Sequence, residues 1–192
     1  MKSVAVFCGS SSGSNGIYTE KARQVGRILA EKGIRLVYGG AKVGLMGAVA
    51  DGALSAGGEV VGVIPGFLLT KEVGHENLSE LILVDTMHER KTIEYELCDG
   101  AIALPGGFGT LDELFEMLTW GQLGLHSKPV GLLNINSYFT HLGKVIDTMV
   151  NEGFLKGINR DMVLESDEIE DLILKMETYV APDEAKWILN KR

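Results

Sequence analysis

Residues 104–118 read LPGGFGTLDELFEML. Three glycines, Gly106, Gly107 and Gly109, separate an apolar run from a segment of helical spacing, and two carboxylates, Asp112 and Glu113, follow at once. A glycine-rich turn that opens a helix can do chemistry. Its backbone comes close to a ligand, and the helix start aims unpaired N–H groups and a positive dipole end at the turn. Such a turn holds phosphate. Thr110 reads as the helix N-cap. No Lys-Ser/Thr pair follows, so this is not a Walker loop. G-F-G-T-L-D lacks the third glycine of the dinucleotide fingerprint. Neither an NTPase nor an ordinary NAD enzyme is supported. Glu113 has two readings. In one it closes a capping box with Thr110. In the other it is a carboxylate held beyond a phosphate loop, within reach of the ligand's sugar. Asp112 reads as a solvated first-turn charge.

A second stretch, TMHERKTIEYEL over 86–97, places Arg90, Glu94 and Leu97 on one side of a helix, with Ile93 adjacent. An exposed Arg90–Glu94 pair would contribute only a few tenths of a kcal/mol. The apolar neighbours point instead to a face turned partly inward. There the planar fork of Arg90 could hold a phosphate or orient Glu113. Lys42 and Lys91 read as solvated. His75, His88, His126 and His141 have no metal-ligand spacing, and no metal is expected. Cys8 and Cys98 show neither metal nor redox spacing and read as small buried hydrophobes of a reducing compartment. Ser10, Ser11 and Ser12 could donate to phosphate or cap a helix. Glu72 and Glu76 fall in a long connection, 65–79, that reads as polar loop or lid near the same rim.

These residues need a scaffold, and the hydrophobic pattern supplies one. Strands are expected at 3–8, 34–38, 59–64, 81–85, 100–105 and 129–134, with a weaker one at 161–164. Most are continuous apolar runs, as in a sheet covered on both faces. Helices are expected at 17–32, 44–57, 87–98, 110–124, 137–152 and 167–179. The alternation predicts a Rossmann-like, doubly wound α/β fold with a mainly parallel sheet of six or seven strands, in one domain spanning 1–192. Residues 181–192, APDEAKWILNKR, read as a short helix packing Trp187 and Ile188 onto the body or a partner. Three strand-to-helix turns are rich in glycine: CGSSSGSNG (8–16), YGGAKVGLMG (38–47) and PGGFGT (105–110). All fall at the carboxyl edge, where such sheets bind ligands. Glycine is in excess, 25 of 192 residues or about 13%, against a usual ~7%. The excess points to tight turns or close approach of backbone to a phosphorylated ligand. A net charge of −8 disfavours a general nucleic-acid face. The N-terminal apolar run is too short for a signal peptide core, and no run approaches ~20 apolar residues. A cytoplasmic protein without membrane contact is expected.

PGGFGTLDE matches the PGGxGTxxE signature, and MHERK (87–91), VYGGAKVGLMG (37–47), GSSSG (9–13) and KPVGLLN (128–134) fit the same pattern. Over residues 3–175 the chain resembles the LONELY GUY family, often labelled "lysine decarboxylase", whose members are cytokinin riboside 5′-monophosphate phosphoribohydrolases. The resemblance implies hydrolysis of the N-glycosidic bond of a nucleoside 5′-monophosphate, with no cofactor, by a homodimer. By matched position Arg90 and Glu113 would be the catalytic pair. Glu72, Met87, Lys91, Thr119 and the segment Gly106, Gly107, Phe108, Gly109, Thr110, Leu111, Asp112 and Glu113 would line the nucleotide site. Gly9, Ser10, Gly39, Gly40 and Gly44 of the other two turns would join them. Ala41 stands where many relatives have a third glycine. A lysine decarboxylase would need a pyridoxal site with a Schiff-base lysine, and none is persuasive here. Two further readings are a non-catalytic nucleotide or cofactor carrier and a deoxyribosyltransferase.

Overall fold

The computed structural model of the protein describes residues 1–72 and 74–182, with backbone only at 70–72. Seven parallel strands form one sheet: β1 (Ser3–Phe7), β2 (Arg35–Tyr38), β3 (Val60–Pro65), β4 (Glu80–Val84), β5 (Gly100–Ala103), β6 (Val130–Leu133) and β7 (Val163–Ser166). Among the described residues eight α-helices accompany them: α1 (Gly16–Glu31), α2 (Gly44–Ser55), α3 (Gly66–Glu72), α4 (Met87–Leu97), α5 (Phe108–Gln122), α6 (Thr140–Asn151), α7 (Gly157–Arg160) and α8 (Ile169–Glu177). The strand order is β4-β3-β2-β1-β5-β6-β7. Order therefore reverses between β1 and β5, which pair from Val4↔Gly100 to Phe7↔Ala103.

The expected Rossmann-like sheet is present, with differences that have physical causes. The last strand lies two residues later than its apolar run, because Glu165 and Ser166 continue the pairing with β6. The 65–79 connection is not all loop: α3 occupies its first half. Trp187 and Ile188 lie outside the described residues. No helix among the described residues is long and apolar enough to cross a membrane.

All five residues of β1 are buried. Their side chains alternate between two layers, as strand geometry requires. Val4 and Val6 join the core under α1, α2 and α8, whereas Ala5 and Phe7 join the core under α4, α5 and α6. Part of the glycine excess is spent here and not on ligand. A methyl group on Gly26 of α1 would strike the Val49 carbonyl of α2, and one on Gly52 would strike the Arg23 carbonyl. The two helices cross backbone to backbone.

Two caps place the elements that matter for function. Asn15 caps α1 by accepting from Ile17 N–H at 3.1 Å. Thr86 and Glu89 form a capping box at the start of α4: Thr86 accepts from Glu89 N–H at 3.1 Å, and Glu89 accepts from Thr86 N–H at 3.2 Å. The acidic residue of MHERK is thus spent on fixing α4, and Arg90 follows one residue later.

Candidate active site

The loops after β1, β2 and β5 meet at the strand reversal. Gly9 N–H donates to the Pro105 carbonyl at 3.1 Å, and Leu45 N–H donates to the Gly9 carbonyl at 3.0 Å. These bonds tie the three glycine segments into one rim. Beside the rim lies a cavity of about 310 Å³ between the carboxyl edge, α4 and the start of α5. That is within the size range of small-ligand sites.

The cavity brings together Gly9, Ser10, Gly39, Met87, Arg90, Gly107, Phe108, Gly109, Thr110, Asp112 and Glu113 from the sequence expectation. Gly40, Gly44, Lys91, Gly106, Leu111 and Thr119 do not line it. Gly40 (φ +74°) packs on Gly62, and Gly44 (φ +59°) packs on the Ser10 carbonyl, so both shape the rim from behind. Leu111 packs into the core under α5. Thr119 is exposed, eleven residues along α5 from Phe108. Lys91 donates to Asp112 at 3.2 Å and to Glu116 at 3.0 Å. It is therefore not the solvated lysine expected, and Asp112 is not a lone solvated charge. Glu72 closes α3, and its side chain lies outside the description.

The capping role for Glu113 does not hold. The N-cap of α5 is Gly107, which has no side chain with which to close the helix. Thr110 is already inside the first turn, 3% exposed, so Thr110 and Glu113 cannot form a capping box. The glycines also act differently from the tight turn expected. None of Gly106, Gly107 and Gly109 has a positive φ. A methyl on Gly106 would strike the Thr110 hydroxyl, so that glycine serves packing, and its carbonyl accepts from the Tyr138 hydroxyl at 2.6 Å. A methyl on Gly107 or Gly109 would meet nothing within 4 Å. The chain itself does not require glycine there, whereas a ligand lying on the bare N–H groups of the α5 start would.

Across the cavity, α4 turns its charges inward. Arg90 is 8% exposed and Glu94 is 2% exposed. The exposed pair considered from sequence is thus a buried one, with Arg90 Nε donating to Glu94 Oε1 at 3.2 Å. Arg90 Nη2 lies 3.8 Å from Glu113 Oε1. Gly39 makes room for this arrangement, because a methyl there would collide with the Arg90 guanidinium. The Glu113 side chain is 12% exposed. Burial, then the charge of Glu94, raises its pKa to about 8, against an opposing pull from Arg90. Burial also raises Glu94.

Sequence reasoning missed Cys8, Met46, Leu68 and Glu94 as cavity residues. Cys8 was rightly read as buried, but it forms part of the cavity wall, where burial and then Glu113 push its thiol far up. Leu68 was hidden in a stretch read as polar loop. Glu94 carried a usable signal: an acidic residue one turn from Arg90 on a face with apolar neighbours.

Fold and cavity define a doubly wound α/β protein that presents an open helix start, an arginine and a buried carboxylate to one cavity. A family model described as "Possible lysine decarboxylase" matches residues 46–176. A probable cytokinin riboside 5′-monophosphate phosphoribohydrolase of Oryza sativa subsp. japonica is 48% identical, covering 93% of this chain and 73% of that protein. A cytokinin riboside 5′-monophosphate phosphoribohydrolase of Arabidopsis thaliana is 42% identical, covering 100% of this chain and 86% of that one. Among solved structures, a molybdenum cofactor binding protein from Rippkaea orientalis has a TM-score of 0.69 at 23% identity, covering 92% of this chain and 96% of that one. The last likeness is one of fold. The chain belongs to the LONELY GUY family.

The family's decarboxylase description does not fit these residues. No lysine among the described residues lines the cavity. Burial of Lys91 favours the neutral amine, but hydrogen bonds to Glu116 and Asp112 outweigh it and hold the pKa above its ordinary value. A firmly protonated amine is a poor Schiff-base nucleophile.

Proposed function

We propose that this protein hydrolyses the N-glycosidic bond of adenosine 5′-monophosphates, including N6-modified ones, giving free base and ribose 5-phosphate. The observation that carries this is a mostly buried Glu113 facing Arg90 beside the uncapped start of α5. The 5′-phosphate rests on the N–H groups around Gly107, Phe108 and Gly109, with Arg90 supplying positive charge. Phosphate binding does no chemistry, but it delivers C1′ of the ribose to Glu113. The C1′–N9 bond breaks, and its electron pair leaves with the base, which takes a proton from solvent. The sugar passes through an oxocarbenium-like state that the Glu113 carboxylate stabilises. Water adds to C1′ and gives its proton to Glu113, which returns it to solvent.

A pKa of about 8 leaves Glu113 largely protonated in the free protein at neutral pH. The reaction needs the ionised form, so kcat/KM should rise with pH to a limb near 8. The working form is proposed as a cytoplasmic homodimer that binds no nucleic acid. Phe108, 94% exposed at the mouth of the cavity, supports a covering partner. Two free, buried cysteines support a reducing compartment. The net charge of −8 opposes nucleic-acid binding. A carrier reading draws on the shared fold, but a carrier needs no buried carboxylate at the sugar. The test is to incubate pure protein with AMP, isopentenyladenosine monophosphate and adenosine. Free base should appear from the monophosphates and not appreciably from adenosine. Comparable turnover on adenosine and AMP would sink the phosphate anchor, and no base from any of them would leave the carrier reading.

A further inference from the structure

We infer that Glu94 is a positioning residue for this reaction, fixing the Arg90 guanidinium from inside the fold so that its other edge faces Glu113. The inference rests on the proposed hydrolysis and adds a residue to its machinery.

Glu94 sits on the face of α4 that meets the core, 2% exposed, with the buried Cys98 one turn further along the chain. Its Oε1 accepts from Arg90, but its Oε2 is buried with no hydrogen-bond partner among the described residues. A buried carboxylate with one oxygen unsatisfied costs stability, and a pair of this kind is often no better than a hydrophobic replacement. The fold therefore gains little from the charge. The site gains two things. The Nε edge of Arg90 is anchored at 3.2 Å, which leaves Nη2 lying over Gly39 and directed toward Glu113. One cation is also placed between two carboxylates in a space nearly closed to water. Two such carboxylates cannot both ionise cheaply.

The other charged and titratable neighbours do not substitute for Glu94. Glu113 faces Arg90, Glu94 and Lys91 on α4, Asp112 on its own helix, and Cys8 at the end of β1. Glu94 faces Arg90 and Lys91 on its own helix, Cys8, and Cys98. Lys91 is engaged by Asp112 and Glu116, and the Cys8 thiol stays neutral. Of the two carboxylates whose charge opposes ionisation of Glu113, Glu94 is the buried one and Asp112 the exposed one.

The experiment uses the full chain with ¹³C-labelled glutamate carboxyls, assigned with Glu113→Gln, and follows Glu113 by NMR titration together with the pH profile of AMP hydrolysis. In wild type the Glu113 midpoint should lie near 8. In Glu94→Gln it should fall to about 7 or lower, and the kcat/KM limb should move with it. KM at about pH 9 should stay within roughly twofold, because the Gln oxygen still accepts from Arg90. Glu94→Leu should move the midpoint in the same direction but raise KM roughly tenfold, because Arg90 loses its anchor. A merely structural Glu94 would move neither midpoint nor limb. An unmoved Glu113 midpoint in both variants, with hydrolysis intact in wild type, overturns this role alone. Absence of hydrolysis by wild type overturns the functional reading and this role with it.

Discussion

The two glycine-rich turns at 38–47 and 105–110 look alike in sequence, but the structure uses them differently. In the first, every glycine answers to a neighbour in the same chain: Gly39 to Arg90, Gly40 to Leu81 and Ile64, Gly44 to Ser10 and Gly47 to the Lys42 carbonyl. In the second, only Gly106 does so, while Gly107 and Gly109 face open space. One turn is scaffold that makes room for an arginine. The other leaves room for something the chain does not contain. Glycine content marks both, and only the surroundings tell them apart.

The sharpest way to break this comparison is to add one methyl group to each turn. Gly39→Ala should have the larger effect. The new Cβ displaces the Arg90 guanidinium, which unpairs buried Glu94 and removes the cation facing Glu113. Breaking a buried pair in this way costs about 3–5 kcal/mol, so the melting temperature should drop clearly and turnover per folded molecule should fall roughly a hundredfold. An unchanged melting temperature would mean that Arg90 has a second resting place. Gly109→Ala should go the other way on stability. The site is helical and open, so Ala should stabilise by about 0.5–1 kcal/mol. Binding should suffer, with KM for AMP rising about tenfold as the methyl occupies the proposed phosphate position. If Gly109→Ala stabilises the protein and leaves KM alone, the phosphate lies elsewhere.

The same contrast shows what the sequence could convey. The sheet was legible because strands buried on both faces must be continuously apolar, as SVAVFC and EVVGVI are. Boundaries failed where pairing outran hydrophobicity, as at Glu165 and Ser166. Arg90 and Glu113 were legible as candidates through the resemblance and through their position behind a helix start. Their surroundings were not. Whether Thr110 caps α5 depends on a helix start three residues earlier than the Thr signal. Whether Arg90–Glu94 is a surface pair or a buried one depends on which face of α4 meets the sheet; Ile93 and Leu97 beside them gave a local hint of an inward face but not the depth of burial. The crossing glycines Gly26 and Gly52 went unread, because the glycine excess alone does not separate close helix crossing from ligand approach.

The central claim is that Glu113 works on the substrate and does not hold the helix. Glu113→Gln tests it most directly, with AMP hydrolysis and thermal melting measured on the same samples between about pH 6 and 9. Turnover should fall roughly a hundredfold or more, because the amide can neither stabilise an oxocarbenium ion nor accept a proton. The melting comparison has a definite sign. The folded pKa of about 8 lies above the ordinary 4.5, so the folded protein binds the proton more tightly. Wild-type stability from this group is full below the ordinary value and is lost as pH rises through about 8. Gln has no such loss. The variant should therefore melt no lower than wild type near pH 6, and higher than wild type near pH 9. A lower melting temperature with turnover per folded molecule unchanged would contradict the account and make Glu113 a structural residue.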